Sequence, residues 1–154
     1  MLEILTPMNK IERVSRKINS STFVAAPGIW GQVEAAGSLK NVVVNVPSLL
    51  SKLVISSASS NVYESHDVSV GRITTAESIG IRVKVDSAGY TGTPTQGRLL
   101  AVSDKGVELG KLFDIVEKPN TEVGTYEMVA RCEEIDATTG YMIYRTISPT
   151  VAAI

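Results

Sequence analysis

Ile79-Gly-Ile-Arg-Val-Lys-Val85 is the stretch whose reading decides the fold class. Ile79, Ile81, Val83 and Val85 alternate with Gly80, Arg82 and Lys84, so an extended chain puts apolar side chains on one face and polar groups on the other. A half-buried antiparallel strand has that pattern. The bias extends along the chain: 45 of the 154 residues are Val, Ile or Thr, types whose branched Cβ suits a pleated surface.

Downstream the strand signals recur between turn signals. Arg98–Ser103, Val107–Leu109 and Lys111–Glu117 read as short strands, broken at 104–106 and 118–120. Thr125–Ile135 and Tyr141–Ile147 read as a hairpin around Asp136–Gly140, with Pro149 closing the last strand. Upstream, Ile29–Glu34 and Leu39–Val46 are joined at Ala36-Gly37-Ser38, Pro47 ends the second of them, and Ser51–Ser57 is a further strand before a turn at 57–61. No helical pattern alternates with these strands, so a βαβ fold is not expected. The expectation is an all-β protein, a small antiparallel β-barrel or sandwich spanning 23–154 as one domain.

Two segments stand apart. Residues 1–22 read as an N-terminal arm or short helix: Met8, Ile11, Val14 and Ile18 recur at spacings of three and four, with Lys10, Arg13, Arg16 and Lys17 between them. Thr6 would cap the helix and Pro7 would sit in its first turn. The stripe shows a buried face but not whose surface buries it, so an extended arm and a helix packed on its own domain both fit. Residues 86–97, DSAGYTGTPTQG, are too rich in Gly, Thr and Pro for a regular element, and a loop of that length is usually functional or disordered.

Charge and composition exclude several classes. A net charge of −1 argues against a nucleic-acid partner. Residues 1–100 carry ten basic and seven acidic side chains, and residues 101–154 five and nine. The resulting +3 and −4 would let one end of a subunit attract a neighbour's other end, or reflect scatter of solvated charges. No apolar run approaches 18 residues, so no membrane span is expected, and MLEILTPMNK lacks the apolar core of a signal peptide. A lone cysteine forms no internal disulfide.

Chemistry-bearing residues are sparse. His66 is the single histidine; Glu64 would share its strand face, but a zinc site needs three or four ligands. Asp67 is adjacent to His66 and would point the opposite way, and no G-x-S-x-G elbow is present, so a Ser-His-Asp triad does not assemble. Gly106–Leu112 fails as a phosphate loop, since Leu112 stands where Ser or Thr should hold magnesium. Cys132 reads as a small buried hydrophobe and Glu133, Glu134 and Asp136 as a solvated rim. Tyr126, Tyr141 and Tyr144 fit either the core or an interface patch. No enzyme, metal or cofactor is expected.

Gly97-Arg-Leu-Leu-Ala-Val-Ser-Asp-Lys-Gly106 and the ending VARCEEI (129–135) and GYMIYRTI (140–147) give the chain a cadence that resembles the head decoration (cement) proteins of tailed bacteriophages. The resemblance covers 23–147 at the level of pattern, and the chain departs from it in lacking the Pro-rich tail that some decoration proteins carry. It implies a β-tulip-like body, made in the host cytoplasm and located on the capsid surface of the virion. It implies a homotrimer that binds the major capsid protein of an assembled shell and stabilises contacts between its subunits. Met8, Ile11, Val14 and Ile18 would then be apolar anchors, and Arg13, Arg16 and Lys17 would meet an acidic capsid surface. Tyr90, Thr91 and Thr93 in the loop would form a second contact. The alternatives are another virion subunit (tail tube, neck or terminator ring) and a small ligand-binding β-barrel.

Overall fold

A computed structural model describes residues 2–18, 28–34, 37–40, 52–56, 72–104, 106–117 and 125–153. In chain order the strands are β1 (Leu2–Ile4), β2 (Arg13–Lys17), β3 (Trp30–Val33), β4 (Leu39–Lys40), β5 (Lys52–Ser56), β6 (Arg72–Ala76), β7 (Arg82–Val85), β8 (Leu99–Val102), β9 (Leu112–Asp114), β10 (Thr125–Asp136) and β11 (Tyr141–Ala153). They form two antiparallel sheets, a six-stranded one ordered β1-β7-β11-β10-β8-β9 and a five-stranded one ordered β2-β6-β5-β3-β4. The sheets do not close into a barrel; the protein is all-β and sandwich-like.

Both sheets turn a face into one core. The smaller sheet contributes Trp30, Ile55 and Ala76; the larger contributes Val83 and Val85 of β7, Leu100 and Val102 of β8, Leu112 of β9, Cys132 of β10, and Met142 and Tyr144 of β11. Trp30 meets Tyr144 across the gap, with ring centroids 6.5 Å apart. A smaller cluster, Ala101, Phe113 and Tyr126, lies on the other face of the larger sheet, where Phe113 and Tyr126 pack edge to face at 5.1 Å. Tyr126 and Tyr144 are therefore core, and Tyr141 is half-buried.

The alternation at 79–85 holds from Ile81 onward. Ile81, Val83 and Val85 are buried and Arg82 and Lys84 are not, but Ile79 is 64% exposed in a turn that Gly80 makes at φ +81°. The 125–147 hairpin forms, and its second strand runs past Pro149 to Ala153. The register explains how. Met128 pairs with Thr150 and Ala130 with Thr146, so Ile147, Ser148 and Pro149 together oppose Val129, and the proline sits at an irregularity where no ladder bond is needed from it. Val107–Leu109 is not a strand: Gly106–Glu108 is a 3-10 turn, and of Lys111–Glu117 only Leu112–Asp114 is extended. The expected strand at 39–46 is described only at Leu39–Lys40. Its remainder, the turns at 57–61 and 118–120, and His66 with its neighbours lie outside the described residues.

The N-terminal segment corrects the expectation of an arm or helix. Among residues 2–18 the one helical element is a single 3-10 turn at Met8–Lys10. β1 pairs with β7 in the larger sheet and β2 with β6 in the smaller, so 2–17 runs antiparallel to 72–85 and both segments change sheets together. The crossing is stitched by Leu5 N–H to Arg82 O (2.8 Å), Glu77 N–H to Glu12 O (2.9 Å) and Glu12 N–H to the Ser78 hydroxyl (2.6 Å). The Thr6 hydroxyl accepts from Arg82 N–H at 2.8 Å and so serves β7, not a helix cap. A three-and-four stripe and a two-residue alternation share Val14 and Ile18, and over so short a segment ladder partners on β6 and β7 decide between them.

Candidate functional site

The sequence marked residues 8–18 and the 86–97 loop as contact surfaces, and the structure exposes some of those side chains and buries others. In β2, Arg13, Ser15 and Lys17 are exposed while Val14 and Arg16 are half-buried. Ile11, also half-buried, packs against the core, and Ile18 is half-buried beyond the strand; Met8 is in the 3-10 turn. Arg16 does not face outward to a partner. Its Nε reaches Glu77 Oε2 at 2.6 Å, its Nη2 reaches Oε1 at 2.7 Å, and its Nη1 donates to Gly37 O at 2.8 Å. The Thr75 hydroxyl adds a further hydrogen bond to Glu77. Hydrogen bonding to Glu77 raises the Arg16 pKa against the opposing effect of burial. This fork-to-carboxylate pair locks β2 to the end of β6.

The loop is docked along a sheet edge. Leu112 N–H donates to Gly89 O at 3.1 Å and Thr91 N–H to Leu112 O at 2.9 Å, a parallel bridge at Tyr90 on the outer side of β9. The loop follows β7, second from one edge of the sheet, yet it covers the opposite edge, so it protects β9 from pairing with another chain. Thr93 N–H meets the Glu117 carboxylate at 2.9 Å, and Thr95 N–H meets Asp114 Oδ2 at 3.1 Å. Tyr90 belongs to the core: it is 9% exposed, and its hydroxyl donates to Gly140 O at 2.6 Å. Thr91 is half-buried and Thr93 is exposed.

The outer face of the larger sheet was legible only as scattered charge. The Glu133 carboxylate lies between Arg82 Nε (2.9 Å) and Arg145 Nε (3.4 Å), all partly exposed, so the cluster orders side chains more than it stabilises them. Lys84 Nζ stands 4.7 Å from the centroid of the Tyr141 ring. Beside it Glu134, Asp136, Thr139 and Ile143 complete a shallow groove of about 180 Å³. The Thr139 hydroxyl, with the amides of Thr138 and Thr139, holds the Asp136 carboxyl below its usual range. Among the described residues no group of three His, Cys, Asp or Glu side chains is placed to hold a metal ion, and no helix is long and apolar enough to cross a membrane. Cys132 is fully buried, and burial raises its thiol pKa.

Two acids matter more than sequence reasoning allowed. Glu77 anchors Arg16 from 61 positions away, a separation with no sequence signal. Glu127 interrupts the apolar run Tyr126–Ala130, and an acid at such a position is the sequence sign of a buried carboxyl. No protein-family model, curated protein or solved structure matches the chain.

Proposed function

We propose that the protein is a structural subunit of a tailed-bacteriophage virion that binds the outside of an assembled capsid as a homotrimer and braces contacts between major capsid subunits. The observation that carries this reading is β2: among the described residues it is the last strand of its sheet, with Arg13, Ser15 and Lys17 outward and Val14 and Arg16 held inward. A rigid basic strand at a sheet edge fits an acidic surface of a shell subunit, and many identical weak contacts add up over a shell. The resemblance supports it too, since its two stretches are neighbours: β8 pairs with β10, and β10 with β11. Adhesion by the body replaces adhesion by an arm, because residues 2–17 are built into both sheets.

The test is co-sedimentation of the purified protein with undecorated heads of tailed phages, with the oligomer measured by light scattering. Trimers that saturate the heads support the reading, and an R13E/K17E variant that stays folded should bind at least about tenfold more weakly, the loss of roughly 1.4 kcal/mol per site. Self-assembly into hexameric rings or tubes would overturn it in favour of a tail-tube or neck subunit.

A further inference from the structure

Glu127 lies in β10, 6% exposed, with neither carboxylate oxygen hydrogen-bonded. An ionised carboxylate in such a place loses its hydration and gains nothing in return. The strands packed against it supply no countercharge among the described residues. Opposite on β11 stand Thr150 and Val151, and β8 on the other side carries Leu99–Val102. The charged groups nearest along those elements are Asp104 just after β8, Lys111 just before β9, whose Nζ is paired with Glu108 Oε2 at 3.5 Å, and Asp114 of β9, whose carboxylate accepts from the amides of Thr95, Val116 and Glu117. Arg131, Glu133, Glu134 and Asp136 of β10, and Arg145 of β11, lie beyond the irregularity at Val129.

The part of β11 opposite Glu127 is, among the described residues, paired on one side only. β7 pairs with β11 only over Met142–Arg145, with Thr146 bonding to Gly80 and Ile81. Thr150–Ala153 is held, among the described residues, by the ladder to Thr125–Met128 alone. Ser148, Pro149 and Thr150 are exposed, and Val151, the cross-strand partner of Glu127, is 39% exposed. Water therefore lies one side chain away from the carboxyl.

We propose that Glu127 is a protonation latch for the C-terminal end of β11. With the carboxyl neutral, Thr150–Ala153 lies closed against β10. When the proton leaves for solvent, the carboxylate recovers hydration most cheaply by opening the ladder between Thr125–Met128 and Thr150–Ala153. The rest of the hairpin stays paired, because β7 on one side and the pairing of Leu99 and Leu100 with Arg131 and Ala130 on the other hold it beyond the irregularity. The opened latch uncovers backbone donors and acceptors on β10, a strand-acceptor edge that a neighbouring subunit can use. Burial puts the carboxyl pKa at about 7, so the latch works near neutral pH. This inference does not depend on the virion reading.

Residue-resolved amide exchange on the full chain tests it, with protection corrected for the intrinsic pH dependence of exchange. Between about pH 5.5 and 8.5, protection over Tyr126–Met128 and Thr150–Ala153 should fall by about tenfold or more, while Met142–Thr146 stays protected. The variant E127Q should remove that pH response. A uniform change along β11, no change, or the same response in E127Q overturns the latch. If E127Q does not fold, the carboxyl titration of Glu127 in the wild-type chain, followed by carbon NMR, decides instead: a midpoint in the ordinary glutamate range overturns the proposal.

Discussion

Arg16 and Glu77 form a two-point ion pair with contacts of 2.6 and 2.7 Å, and the Glu77 side chain is fully buried. One comes from β2 and the other from the turn after β6, so the pair fastens the N-terminal strand at the corner where the chain changes sheets. Replacing Glu77 with Ala leaves a largely buried guanidinium unpaired and should cost about 3–5 kcal/mol in urea unfolding. The double variant R16M/E77L removes both charges and should recover most of that loss, which a double-mutant cycle would report.

Deleting residues 2–17 should abolish cooperative unfolding rather than leave a stable core. It removes β1 from β7 and β2 from β6 at once and bares both sheet edges. Circular dichroism and a thermal scan check this; a truncated chain that melts cooperatively near the full-length temperature would show that the segment is dispensable for folding.

Gly110 separates steric clash from backbone strain. Its φ is +82°, and an added Cβ would lie 2.5 Å from Ile29 Cγ2 and 2.9 Å from Trp30 O. Gly80 has nearly the same φ, +81°, with nothing within 4 Å. Gly80→Ala should cost about 1–2 kcal/mol, the left-handed penalty alone. Gly110→Ala should cost more, by about 1–3 kcal/mol, because the β3 backbone that bonds to Gly110 O must move.

Tyr90→Phe deletes the bond to Gly140 O and keeps the ring, for a loss of about 1 kcal/mol. Tyr90→Ala empties a core position and should cost about 3–5 kcal/mol. Protease nicking within 86–97 should rise sharply in the second variant and little in the first, since the ring is what seats the loop on β9.

Glu127 also gives global stability a pH slope. Its folded pKa, about 7, exceeds its ordinary value of 4.5, so the stabilising neutral form is fully present below about pH 4.5. That contribution is lost as pH rises through about 7 and does not change further above it. Urea midpoints between pH 4.5 and 8 should fall for the wild-type chain more steeply than for E127Q, and parallel curves would rule the contribution out.

What was legible locally was the part that depends on neighbours in sequence. The alternation from Ile81 to Val85 specified β7 because side chains in a strand alternate faces whatever the partner strand is. The hairpin of β10 and β11 was legible because Asp136–Gly140 closes it within five residues. The same local reading put strand where Gly106–Glu108 turns, and helix where β1 and β2 extend, because each of these segments is too short for its own periodicity to choose. Composition and alternation by themselves determined that this protein is all-β with apolar strand faces. Only the tertiary structure decided that the N-terminal segment belongs to both sheets, that Arg16 is spent on Glu77, that Tyr90 seats a loop on the far edge of its sheet, and that the Glu127 carboxyl is buried without a hydrogen bond. Each of those depends on contacts between segments distant in the chain, and such contacts are set by which faces the whole fold brings together, not by the residues on either side.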